Sequence, residues 1–278
     1  MIIRYAHEGR TAVGVRDGDT VRPIADDLAE LTRLSLTELR ERAESPTGPA
    51  VAVDQLTVLP PVDGRTEVWA AGVTYKISQT ARMAESETSA TVYEQVYDAD
   101  RPEIFFKSVA WRVIGDGGEL RVRADSEIDV PEPELALLIN SAKEIIGYGV
   151  CNDVSSRTIE GENPLYLPQA KVYNGSCGLG PGVTPVWQVA DPYALELGMV
   201  IIRDGETIWQ GNTETSQLHR KLDDLVDWLF RDLEFPDGVW LSTGTSLVPE
   251  LPFTLADGDQ VKITIPGVGE LSNPVRRG

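Results

Sequence analysis

A β-rich α+β fold is what this sequence predicts, and three observations carry it. From residue 65 onward the chain is mostly short apolar segments separated by Gly, Pro, Asn and Asp, the pattern of strands joined by turns. Helical periodicity is clear in one stretch, SQLHRKLDDLVDWLFRDL, where Leu218, Leu222, Leu225, Val226 and Leu229 share a face. Alternating βαβ units are absent, and so are GxGxxG and a GxxxxGK followed by Ser or Thr, which disfavours nucleotide-binding folds. Many strands with few helices predict a mixed sandwich or roll with α decoration.

Taken in order, residues 1–62 read as a small α+β domain. IIRYAHEGRTAVGVRDGDTVRPI has short apolar runs broken by HEGR and RDGD, which predicts three short antiparallel strands. IADDLAELTRLSLTELRERAES places Leu28, Leu31, Leu34, Leu36 and Leu39 at helical spacing, predicting one or two amphipathic helices. The connector LPPVDGRTE follows and sets a boundary. Residues 63–278 form the second, larger domain. Its predicted strands are EVWAAGV, EIFFKS, ELALLIN, IIGYGVCN, GVTPVWQV, LGMVIIRD, GETIWQGN, GVWLSTGT and DQVKITIP.

Composition narrows the function. At 278 residues, 41% hydrophobic and 25% charged, the chain has the make-up of a soluble globular protein. No stretch approaches the roughly 20 apolar residues of a membrane helix. MIIRYAHEGR lacks the apolar core of a signal peptide, which predicts a cytoplasmic protein. The formal charge of −19 repels phosphate backbones and anionic lipid, so neither nucleic acid nor membrane is an expected partner. The basic residues are 19 Arg against 6 Lys. An acidic, lysine-poor surface suits a high-salt cytosol, and a GC-rich genome gives the same arginine bias. Cys151 and Cys177 lack CxxC spacing and read as buried reduced thiols. A protein this negative that handles an anion needs local positive charge in its site.

Four segments hold the candidate chemistry. In VPEPELALLIN, Glu132 and Glu134 are two residues apart and so face the same side of a strand. Two adjacent carboxylates are tolerable only if solvated, protonated or bridged by a cation. Asp153 ends the apolar run IIGYGVCND. If the two strands pair, three carboxylates meet at one sheet edge, an all-oxygen set suited to Mg²⁺ or Mn²⁺ rather than zinc. The second segment, NDVSSRTIEGENPLYLPQAKVYNGSCGLGPGV, reads as an ordered polar loop carrying Arg157, Glu160, Glu162, Lys171 and Tyr173. Lys171 could act as acid or base, or hold an anionic substrate. In RPEIFFKS, Phe105 and Phe106 could wall a pocket while Lys107 or Glu103 reaches substrate. In LSTGTSLVP, Thr243 and Thr245 flank a glycine and could bring hydroxyls and backbone N–H groups to a carboxylate. The two histidines, His7 and His219, lie outside these segments, and no GxSxG occurs, so a Ser–His–Asp engine is not expected.

PEPELALLIN, GYGVCNDVSSR, PQAK, GLGPGV, LSTGT and DGDQVKITIPGVGELSNPV stand in the order found in the fumarylacetoacetate hydrolase family, which the chain resembles over about residues 68–276. VTYKISQTAR, RPEIFFKS, VPEPELAL and NDVSSRTIEGENPLYLPQAK resemble its 2-keto-3-deoxy-pentonate dehydratases in particular. The resemblance implies a β-roll catalytic domain with a smaller N-terminal domain, a Mg²⁺ (or Mn²⁺) held by Glu132, Glu134 and Asp153, and a homodimer or homotetramer. Hydrolases of the family carry N-Y-x-x-H, whereas here Ser78 follows Tyr75 at the histidine's place. That departure favours a lyase over hydrolysis. The implied activity is dehydration of a 2-keto-3-deoxy-D-pentonate to 2,5-dioxopentanoate. The alternative is C–C hydrolysis of acylpyruvate or fumarylpyruvate-like diketo acids; decarboxylation, keto–enol isomerisation and a non-catalytic binding role stay open. The expected acid–base pair is Lys171 and Glu103, with Glu162 a third possibility. The expected substrate holders are Ser78, Arg82, Phe105, Lys107 and Thr245.

Overall fold

The computed structural model describes residues 1–75 and 95–278. Residues 1–62 supply β1 (Ile2–His7), β2 (Arg10–Asp17), β3 (Thr20–Ala25), β4 (Val51–Ala52) and β5 (Thr57–Leu59), with helices α1 (Leu28–Thr32) and α2 (Leu36–Glu44) between β3 and β4. The predicted antiparallel β1–β2–β3 meander is present, with Ile2 opposite Val15 and Gly14 opposite Pro23. Both helices start on side-chain caps. Asp27 accepts from the Glu30 N–H, and Ser35 forms a reciprocal capping box with Glu38, each closing an N–H left open by the first turn.

The remaining strands are β6 (Glu67–Gly72), β7 (Glu103–Val109), β8 (Leu120–Val122), β9 (Asp129–Val130), β10 (Pro133–Ile139), β11 (Ile145–Asp153), β12 (Ser155–Ser156), β13 (Cys177–Pro185), β14 (Glu196–Arg203), β15 (Glu206–Glu214), β16 (Val239–Ser242), β17 (Gln260–Ile265) and β18 (Gly269–Arg277). Helices α3 (Arg157–Glu162) and α4 (Leu167–Lys171) follow β12, and α5 (Leu222–Leu229) follows β15. One large sheet runs β4-β3-β2-β1-β13-β11-β10-β16-β6-β7, with β5 pairing β1. A second runs β15-β14-β17-β18-β8.

The two faces of β10 show how the core divides. Leu135, Leu137 and Ile139 pack with Met199, Ile201, Val261, Ile263 and Leu271 of the second sheet and with Leu222, Leu225 and Leu229 of α5. Ala136 and Leu138 face the other way, into a cluster with Leu28, Leu31, Leu39, Cys151, Cys177 and Trp240. β10 is buried on both faces, as its unbroken apolar run requires. The N-terminal helices thus cover the face of β10 that carries its acidic residues.

Two elements differ from the sequence pattern for local reasons. The strand expected from Gly182 begins at Cys177. Its glycines admit neighbours that a side chain would block: a Cβ on Gly182 would stand 2.5 Å from the Ile2 carbonyl. The amphipathic pattern 216–233 becomes helix only over α5. Leu218 instead forms a bridge with Tyr75, and the His219 N–H donates to the Thr74 carbonyl.

Candidate active site

The register of β10 and β11 sets the site. Glu134 lies opposite Cys151, and the Asp153 N–H donates to the Glu132 carbonyl, which continues the pairing by one step. Glu132 and Asp153 are therefore cross-strand neighbours, and Glu134 sits two residues along on the same face. One carboxylate oxygen from each lies within 4.8 Å of the others, and all three residues are buried. No histidine or thiolate joins them. Hydrogen bonding to Cys177, and then burial, pushes the Cys151 thiol well above its ordinary value. The donor set is all oxygen, negative and sheltered, which fits a hard divalent cation.

Each acid is held by a different device. Asp153 is gripped between two lysines, with Lys107 Nζ at 2.5 Å from Oδ1 and Lys171 Nζ at 3.0 Å from Oδ2. Glu132 Oε2 lies 2.6 Å from Lys171 Nζ, and Oε1 accepts from Arg157 Nη2 at 2.6 Å. Arg157 Nη1 reaches on to Glu160 at 2.7 Å. The result is an alternating chain of buried charge from Glu160 through Arg157, Glu132, Lys171 and Asp153 to Lys107. Glu134 has no cation in that chain. Its Oε2 accepts from Ser242 Oγ at 2.5 Å and from the Gly244 N–H at 2.7 Å. Burial, then the charges of Asp153 and Glu132 with the neighbouring Cys151, drive the Glu134 carboxyl far above its ordinary value. Glu134 is the acid with most to gain from a divalent ion.

Glycine is required where Glu134 is held. Gly244 has φ +88°, and a Cβ there would overlap Thr74 Oγ1. Thr74 Oγ1 donates to the Thr243 carbonyl at 2.6 Å. Two phenols border the acids. Burial, and then the Glu134 charge, raises the Tyr75 hydroxyl, and burial with Asp129 and Asp153 raises Tyr173. Both stay protonated at neutral pH.

β7 brings the remaining candidates. Glu103 and Phe105 face the same side two residues apart, whereas Phe106 turns away and meets Trp69 edge-on at 5.8 Å. Phe105 lies under Lys171, whose Nζ is 5.5 Å from the ring centre. Glu103 and Glu160 line a cavity of about 230 Å³ with Val96, Pro102, Pro164 and Leu167, and Arg101 also borders it. Lys107 is an extra residue in the β6–β7 ladder: Ser108 pairs Val68 and Phe106 pairs Trp69, leaving Lys107 unmatched. Such a bulge re-aims a side chain. Lys107 Nζ is buried, pairs with Asp153 by charge and donates to the Val154 and Lys171 carbonyls. Thr245 is buried, and its Oγ1 accepts from the Leu247 N–H at 3.0 Å. Glu162 is exposed. Ser78 and Arg82 lie outside the described residues.

Ser155, Ser242 and Gly244 join the cluster without having been singled out for it, and Arg157, noted in the polar loop but given no role, holds Glu132. Ser155 Oγ accepts from Lys171 Nζ at 2.5 Å. Gly244 carried a signal, since the sequence places it between the two threonines thought able to offer N–H groups to a carboxylate. The carboxylate it serves belongs to Glu134.

Residues 67–276 match the family described as fumarylacetoacetate (FAA) hydrolase C-terminal. The chain is 50% identical over 253 residues to the "Probable 2-keto-3-deoxyxylonate dehydratase" of Haloferax volcanii, covering 90% of this chain and 86% of that protein. It is 40% identical over 228 residues to the 2-dehydro-3-deoxy-D-arabinonate dehydratase of Saccharolobus solfataricus, covering 81% and 76%. Among solved structures it is similar to a 2-keto-3-deoxy-D-arabinonate dehydratase complexed with magnesium and 2,5-dioxopentanoate. The TM-score is 0.85 at 34% identity, over 100% of this chain and 99% of that one.

Proposed function

This chain belongs to the fumarylacetoacetate hydrolase family, and from that premise we propose that it is a metal-dependent dehydratase, a hydro-lyase turning a 2-keto-3-deoxy-D-pentonate into 2,5-dioxopentanoate and water. The observation that carries this reading is the meeting of Glu132, Glu134 and Asp153 within 4.8 Å, beside a buried lysine. Relatives at 50% and 40% identity are named as dehydratases of such acids.

Glu132, Glu134 and Asp153 would hold Mg²⁺, with Mn²⁺ the nearest substitute. When bound, the ion supplies an electrophile for the C1 carboxylate and the C2 oxo oxygen of the substrate. The side chains do the rest. Lys171 and Glu103 form the acid–base pair: one removes a C3 proton made acidic by the neighbouring ketone, and the other protonates the departing C4 hydroxyl. Loss of that water leaves a C3–C4 double bond; C5 then gives up a proton as C3 regains one, and the resulting C4–C5 enol passes its hydroxyl proton to C4, leaving an aldehyde at C5. Phe105 forms a carbon wall beneath Lys171. Thr245, Ser78 and Arg82 hold the substrate's polar groups. We assign Lys107 to holding Asp153 rather than substrate, because its Nζ is tied to two main-chain carbonyls and paired with Asp153.

The chain works as a homodimer or homotetramer in the cytoplasm. An interface would cover Trp111, which is 74% exposed, and light scattering reads the assembly directly. No helix among the described residues is long and apolar enough to cross a membrane.

The deciding experiment is incubation with a 2-keto-3-deoxy-D-pentonate and Mg²⁺. The expected product is 2,5-dioxopentanoate with no carbon lost. Release of pyruvate would make the protein a C–C hydrolase, and full turnover in EDTA would remove the metal from the reaction.

A further inference from the structure

Gly72 and Val73 end β6 in an order that backbone preference alone would reverse. Val73 has φ +54°, in the left-handed region where a β-branched side chain is an outlier and glycine is at ease. Gly72, one residue earlier, lies in a strand and outside that region. A glycine inside a strand loosens it, and its usual reason is close approach by something else. Here that something is Glu103. Gly72 and Glu103 are direct cross-strand partners, so their side chains would share one face. A Cβ on Gly72 would overlap Glu103 Oε2 and stand 2.7 Å from its Cδ.

We infer that Gly72 is a positioning residue: its missing side chain is the notch into which the Glu103 carboxylate folds, fixing where that carboxylate meets the cavity it shares with Glu160. The inference rests on the acid–base role given to Glu103 above. What a methyl at residue 72 would meet is the far end of a flexible side chain rather than backbone. Gly72→Ala therefore folds, and the carboxylate moves by about 1 Å, a displacement that costs on the order of 100-fold when it separates reacting atoms.

The test is a double-mutant cycle of Gly72→Ala and Glu103→Ala in the full chain with Mg²⁺ and the pentonate. Gly72→Ala is expected to lower kcat about 10- to 100-fold while KM and the calorimetric Mg²⁺ affinity stay within about twofold. Its Tm should equal or exceed that of the wild type, since alanine suits a strand interior at least as well as glycine. In the Glu103→Ala background the same substitution should cost less than about twofold, because the space is then vacant. An equal loss in both backgrounds, or unchanged kcat in Gly72→Ala, overturns the inference. Should Gly72→Ala fail to fold, recovery of folding in the double variant supports shared space, and failure of both overturns it. Wild-type turnover in Glu103→Ala alone would sink the catalytic assignment of Glu103, and this inference with it.

Discussion

At Asp237 a carboxylate lies between two arginines, Arg33 at 2.5 Å and Arg65 at 2.8 Å, whose side chains are 55% and 74% exposed. At Asp153 a carboxylate lies between two lysines at 2.5 and 3.0 Å, and all three groups are buried. The geometry is alike and both carboxylates are buried, but the cations at Asp237 stand in water and those at Asp153 do not. Around Asp237 water still solvates the arginines, and their hydrogen bonds and charge hold its carboxyl below the usual range. A pair whose arginine keeps its water contributes on the order of 1 kcal/mol. Around Asp153 each ion has lost its hydration at a cost of several kcal/mol, which the attraction within the cluster offsets only in part. A fold in need of stability alone would fill such a space with apolar side chains. On the proposed function, the second cluster serves chemistry where the first serves structure.

Substitutions at four residues break or sharpen that contrast. Glu134→Gln should cut turnover by roughly 1,000-fold and abolish measurable Mg²⁺ binding by calorimetry, since it removes the ligand that no side-chain cation in the cluster neutralises. Lys171→Met should cost about 100-fold or more in kcat, with product formation followed by chromatography. Arg157→Met should weaken Mg²⁺ about 10- to 100-fold by releasing Glu132 Oε1, as outer supports of metal ligands do. Arg157→Lys should restore part of that loss. Asp237→Asn should leave kcat and KM unchanged and lower stability by only about 1 kcal/mol, or roughly 2 °C in Tm. Because the folded carboxyl of Asp237 sits below its unfolded value near 3.9, its contribution is present above about pH 4 and lost as pH falls through the folded value. The Tm gap between wild type and Asp237→Asn should therefore hold from pH 7 to 5 and close below about pH 4. A large activity loss in Asp237→Asn would collapse the distinction between the two clusters.

The sequence made the three acids legible because their geometry follows from strand parity. Glu132 and Glu134 share a face by their spacing, and Asp153 joins them through a pairing suggested by two neighbouring apolar runs. The cations were harder to place. Lys107 and Arg157 reach their partners across 46 and 25 residues of chain, and a long flexible side chain carries no periodic signal of where its charge arrives. A lysine beside aromatics on a strand reads equally well as a substrate holder, and only the ladder's irregularity shows it turned to Asp153. The antiparallel pairing of β10 with β16, which brings Gly244 to Glu134, joins segments about 110 residues apart, beyond any local pattern. The N-terminal meander was plain in its turns. That Ile2 would pair with Val183 of the large sheet depended on glycines of β13 whose role was spatial.

The unmatched residue in the β6–β7 ladder has a bearing on engineering. A designer seeking a more regular sheet would delete Lys107, gain an unbroken run of main-chain bonds there, and expect a stiffer protein. The deletion would also leave Asp153 without one of its two lysines and the Val154 and Lys171 carbonyls without their shared donor. Heat resistance won by tidying this strand would come with a slackened binding floor, so the irregularity is best kept in any stabilised version of the chain.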